Sequence, residues 1–106
     1  MVEMKRIKDL ASQIAREFSP ERIILFGSHA YGQPSDDSDV DLLVVLRFEG
    51  KPVRKAIEIR NRVSPKIPLD LIVRTPERLA ERVANNDWFM REIVEKGRTL
   101  YEANHR

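Results

Sequence analysis

The stretch Ile23-Ile24-Leu25-Phe26-Gly27-Ser28-His29-Ala30-Tyr31-Gly32, followed after a short loop by Asp37-Ser38-Asp39-Val40-Asp41-Leu42-Leu43-Val44-Val45-Leu46, decides how this chain folds. Two apolar, β-branched runs flank a glycine-serine turn and a polar loop, Gly32 to Ser38, so the stretch predicts strand, turn, loop, strand. Alternate side chains on a strand share a face, so Asp39 and Asp41 point the same way at the mouth of a run that reads as buried. Two like charges set side by side there repel each other and lose hydration, and a divalent cation relieves both costs. The spacing therefore reads first as a metal site.

Working outward, Ile7, Leu10, Ala11, Ile14, Ala15 and Phe18 recur at helical spacing before this stretch. Ser19-Pro20-Glu21 ends that helix, because proline lacks the donor for the next helical bond and disfavours helix in the residue before it. After Gly50-Lys51-Pro52, a second helix places Val53, Ala56, Ile57 and Val63 on one side, and Ser64-Pro65-Lys66-Ile67-Pro68 stops it. A third strand follows over about Leu69 to Val73. Thr75-Pro76-Glu77 then carries the capping residue, the first-turn proline and the acid that a helix start prefers. Asp87 is placed to cap a last helix through about Lys96, with Gly97 as its terminator. The order helix, strand, strand, helix, strand, helix, helix predicts an α/β (α+β) fold, a small mixed sheet flanked by helices.

Length and composition set the frame. The 106 residues fit a single domain, 1–106, with 42% hydrophobic and 34% charged residues. A formal charge of +2 is too small for an electrostatic footprint on nucleic acid, and direct nucleic-acid binding is not expected. There is no cysteine, which excludes disulfides and thiolate metal sites and makes a reducing cytoplasm the expected setting. No run approaches the roughly 18 apolar residues of a membrane span, so no membrane association is expected. His29 and His105 are too few and too far apart for a zinc site. Gly27 to Gly32 has P-loop glycine spacing, but Gln33 stands where lysine is required.

A third carboxylate belongs with the first two. Asp70 lies within Leu69-Asp70-Leu71-Ile72-Val73, where every neighbour favours burial. Either it is a solvated or ion-paired strand aspartate, or its strand enters the sheet beside that of Asp39 and Asp41 and three carboxylates converge. Such a cluster can hold two magnesium ions, one orienting a triphosphate and one activating a hydroxyl nucleophile. Gly27 lets backbone approach a phosphate, and Ser28 offers its hydroxyl and amide. Alone, that turn is ordinary loop chemistry; coupled to the aspartate pair at this distance, it points to a nucleotide site. His29 is either a further phosphate contact or a plain loop histidine.

These residues resemble the signature of the DNA polymerase β-like nucleotidyltransferase superfamily, and the short chain is similar to its minimal nucleotidyltransferase (MNT) group. The resemblance spans nearly the whole chain, through Ile93-Val94-Glu95-Lys96-Gly97-Arg98-Thr99-Leu100-Tyr101-Glu102. It implies a polymerase β palm-like fold, a nucleotide held at Gly27, Ser28 and His29, and two Mg2+ ions on the catalytic Asp39, Asp41 and Asp70. It also implies an antitoxin that transfers AMP from ATP to a tyrosine of a HEPN-domain ribonuclease toxin. Homo- and hetero-oligomers both remain open. One position departs from the pattern: Tyr31 stands where many members carry arginine, so His29 or an arginine elsewhere must supply that charge. Neutralisation of a toxin by binding alone, and transfer to a small molecule, are the competing readings. Trp88-Phe89-Met90 cannot all face one side of a helix, so at least one is expected at the surface or an interface.

Overall fold

The computed structural model describes residues 1–104; His105, weighed above as a zinc ligand, lies outside the described residues. The elements run α1 (Met4–Phe18), β1 (Arg22–Phe26), α2 (Ser28–Tyr31), β2 (Val40–Val45), α3 (Pro52–Val63), β3 (Leu69–Arg74), α4 (Pro76–Ala84), α5 (Trp88–Lys96) and β4 (Arg98–Glu102). The four strands form one mixed sheet in the order β3-β2-β1-β4. β1 pairs antiparallel with both β2 and β4, while β2 and β3 run parallel, joined by the crossover through α3. The mixed sheet flanked by helices is the expected architecture.

Each face of the sheet has its own core. Strand alternation sends Ile23, Leu25, Val40, Leu42, Val44, Leu69, Leu71 and Val73 to one face, where Ile7, Leu10, Ala11 and Ile14 of α1 and Ile59 and Val63 of α3 cover them. On the other face Ile24, Phe26, Leu43 and Val45 meet Leu79 of α4 and Met90 and Ile93 of α5. Each fully buried Ile or Leu contributes about 1.5–3 kcal/mol of transfer free energy. These contacts, rather than intrinsic helix propensity, hold helices as short as nine residues.

The helix ends follow the sequence signals. The Thr75 hydroxyl accepts the Arg78 N–H at 3.2 Å, and Asp87 Oδ1 accepts the Met90 N–H at 3.1 Å. Ser19 and Ser64 close α1 and α3 in left-handed conformation at φ 47° and 44°, each directly before a proline.

One strand was not expected. β4, beginning right after Gly97, pairs along the free edge of β1, with a register shift between Ile23 and Ile24. Its sequence, Arg-Thr-Leu-Tyr-Glu, gives only a mild alternation, and it is half-buried at best because it is an edge strand. Gly97 makes the tight passage possible: a Cβ there would collide with Ile24 Cγ2 and the Ile93 carbonyl, each 2.5 Å away.

Candidate active site

The register of the sheet brings the aspartates together. Phe26 stands opposite Asp41 on β1, and Asp41 stands opposite Asp70 on β3, so Phe26, Asp41 and Asp70 form one row across the α4/α5 face. The next rows along that face are Ile24–Leu43–Ile72 and Arg22–Val45–Arg74. Asp39, two residues before Asp41, enters from the loop on the same side. Because β2 and β3 are parallel, the starts of both strands lie at the same sheet end. That geometry, and not closeness in sequence, gathers three carboxylates.

Their burial differs from expectation. Asp70 and Asp39 are exposed and Asp41 is half-buried. Leu69, Leu71 and Val73, the neighbours that made Asp70 look buried, point into the opposite core, while Asp70 faces the end of the sheet that α4 and α5 leave open. The sites are thus accessible to ligand. The cluster still strains Asp41: burial, then the charges of Asp70 and Asp39, push its carboxyl above the usual carboxylate range, with a carboxyl hydrogen bond to Asp70 adding to the rise. Among the described residues, no three His, Cys, Asp or Glu side chains already stand close enough to chelate an ion. The donor set is all carboxylate oxygen, with Asp41 and Asp70 on backbone fixed by the ladder, which suits a hard cation such as Mg2+ after side-chain rotation.

Gly27 joins this row to the turn. It ends β1 at φ 73°, a conformation that favours glycine. A Cβ at Gly27 would overlap the Asp41 carboxylate, with Asp41 Cγ only 3.0 Å away. The Gly27 carbonyl accepts the Ala30 and Tyr31 N–H groups at 3.0 and 3.1 Å, which winds Ser28–Tyr31 into the single turn of α2. Gly27 therefore lies against the Asp41 carboxylate, and Ser28 follows it as the first residue of α2.

His29 does not take the expected place. It is buried, with 8% exposure. Its Nε2 accepts the Val2 N–H at 3.2 Å, and its Nδ1 lies 3.1 Å from the Asp39 carbonyl. A carbonyl only accepts, so Nδ1 donates and the ring is the neutral Nδ1–H tautomer. Both nitrogens are used, and neither is left for a phosphate. His29 instead ties the chain start to the backbone of Asp39. Among the described residues no arginine shares the aspartate row either; Arg74, two rows along the same face, lies roughly 13 Å from Asp70 at the backbone. Tyr31 itself is 42% exposed, and its phenol is pushed up by burial and by the nearby Glu92 charge, with Asp41 adding to it. Glu92 drew no attention in the sequence, since it lies about sixty residues from Tyr31 in the chain. Arg62 forms an ion pair with Glu17, Arg78 with Glu81 and Arg82 with Asp87.

Residues 7–101 match the family described as Nucleotidyltransferase domain. The chain belongs to that family. This nucleotidyltransferase is 30% identical, over 95% of its length and all of the relative's, to a protein of Methanocaldococcus jannaschii named as a candidate protein adenylyltransferase. Its fold is similar to the crystal structure of a candidate nucleotidyltransferase from Sulfolobus solfataricus, with a TM-score of 0.65 at 22% identity, covering 92% of this chain and 78% of that one. It is also similar to a chain of a toxin–antitoxin complex solved with AMP-PNP, with a TM-score of 0.57 at 17% identity over 92% and 74% of the two chains. A further similar chain comes from the toxin–antitoxin pair MntA–HpeT, at a TM-score of 0.55 and 16% identity over the same shares. No helix among the described residues is long and apolar enough to cross a membrane.

Proposed function

We propose that this nucleotidyltransferase moves AMP from ATP onto a tyrosine hydroxyl of a HEPN-family ribonuclease toxin and so acts as its antitoxin. The observation that carries this reading is the row in which the parallel register sets Asp70 beside Asp41, with Gly27 opening directly onto the Asp41 carboxylate. The relative named as a protein adenylyltransferase supports a protein acceptor, and the toxin–antitoxin neighbours support a toxin as that protein.

In this reading Asp39, Asp41 and Asp70 would hold two Mg2+ ions, which would supply neutralisation of phosphate charge and a more acidic acceptor hydroxyl. Gly27 leaves room for the Asp41 carboxylate beside the turn, and Ser28 holds the triphosphate through its amide and hydroxyl. Asp70, exposed at the edge of the row, faces the acceptor and takes the hydroxyl proton. The acceptor oxygen forms a bond to the α-phosphorus as the bond from that phosphorus to the bridging oxygen breaks, and pyrophosphate leaves with that electron pair. His29 holds the Asp39 backbone in place through the Nδ1–H bond to its carbonyl.

The test is the intact mass of the toxin after incubation with this protein, ATP and Mg2+, beside the Asp39→Asn and Asp41→Asn variants. The expected result is a gain of one or more AMP units, absent with either variant, together with loss of ribonuclease activity. A toxin of unchanged mass that is nevertheless silenced, equally by the variants, would replace this reading with neutralisation by binding.

A further inference from the structure

Trp88 and Phe89 open α5 with 72% and 40% of their surfaces in solvent, although the sheet face beneath is apolar. Their placement is ordered. The Phe89 ring packs edge-on against Phe26 with centroids 5.8 Å apart, and Trp88 packs edge-on against Phe89 at 6.5 Å. Phe26 is buried and stands opposite Asp41 in the ladder. Three rings therefore step outward from the carboxylate row to the surface.

We propose that Trp88 and Phe89 form the nucleobase platform of this enzyme, stacking the base of a purine nucleoside triphosphate whose phosphates lie at Gly27, Ser28 and the aspartates. The inference rests on the reading of that row as the nucleotide site. An exposed ring beside a phosphate site offers what a base needs and solvent does not, a π-face to stack on. Stacking reads area and not hydrogen-bonding edges, so purines bind in preference to pyrimidines, and the platform alone separates ATP weakly from GTP. Holding the base on α5 fixes the far end of the nucleotide while leaving the Asp70 side of the row open to the acceptor.

Trp88 is the single tryptophan of the chain, so its emission reports the platform directly. The probes are α,β-methylene-ATP, which cannot release pyrophosphate, and inorganic tripolyphosphate, each with Mg2+ and each followed by calorimetry and by tryptophan emission. The nucleotide is expected to change Trp88 emission saturably, and tripolyphosphate to bind without that change. Trp88→Ala weakens nucleotide binding about tenfold or more and leaves tripolyphosphate affinity unaltered, while Trp88→Phe restores most of the loss. Because Trp88 is exposed, these variants keep the fold, and the tripolyphosphate affinity verifies it. Nucleotide binding with unchanged emission and unchanged affinity in Trp88→Ala would overturn the platform alone and leave the rings as a protein-docking face. Failure of both probes to bind would overturn the nucleotide site and the platform with it.

Discussion

Gly27 is where backbone geometry and site chemistry meet in one residue. Its φ of 73° costs a side-chain-bearing residue on the order of 1–3 kcal/mol, and the Asp41 carboxylate fills the space a Cβ would need. Gly27→Ala is therefore expected to lower unfolding free energy by about 1–3 kcal/mol in denaturant titrations and to displace Asp41. Transfer activity should then fall below detection under conditions where the variant is still folded. An Ala variant of unchanged stability and activity would mean that neither constraint operates. His29 teaches the opposite lesson at the same scale. Sequence proximity to Gly27-Ser28 suggested a phosphate contact, yet its nitrogens serve Val2 and Asp39. Proximity in a motif says nothing about which way a ring points; burial decides that.

At the scale of the element, the helices were legible because their signals are local. Asp87 caps α5 by accepting the Met90 N–H, and Arg82 bonds the other carboxylate oxygen at 3.0 Å. The Met90 N–H first, then the Arg82 hydrogen bond, hold the Asp87 carboxyl below its ordinary value of 3.8. A carboxyl depressed in the folded state adds stability above its unfolded pKa and loses it as pH falls through the folded one. Asp87→Asn can still cap but cannot pair with Arg82 as an ion. The variant is expected to melt below the parent at neutral pH, and the two melting curves should converge as pH falls below about 4. A gap that stays constant down to pH 2 would remove the charge from the account. β4 escaped sequence reading for a related reason. An edge strand with one half-covered face needs no strong apolar pattern, and its partner β1 lies more than seventy residues away in the chain.

For the molecule as a whole, the sheet order decides what is rigid and what is reachable. β1 and β2 are central, paired on both sides and covered by cores on both faces, whereas β3 and β4 are edges. Native-state hydrogen exchange is expected to be slowest in Ile23–Leu25 and Leu42–Val44 and faster in β4 and in the loop from Gly32 to Ser38. Equal protection across all four strands would contradict this layout. The rigid centre carries Asp41 and Phe26, and the carboxylate row runs from it to the open edge at Asp70, the side from which the proposed acceptor would approach.

By itself, the sequence determined the helices and three of the strands, because period, caps and prolines act over a few residues. It also determined the turn Gly27-Ser28 and the pair Asp39 and Asp41, two residues apart at the mouth of one strand. Tertiary structure alone decided that Asp70 joins them, that it is exposed and not buried, and that His29 turns inward. It alone packed Phe89 against Phe26 and Trp88 against Phe89. Each of those depends on a strand register or a helix packing between residues distant in the chain, and such pairings are selected by the summed burial of two cores. No local pattern encodes that sum.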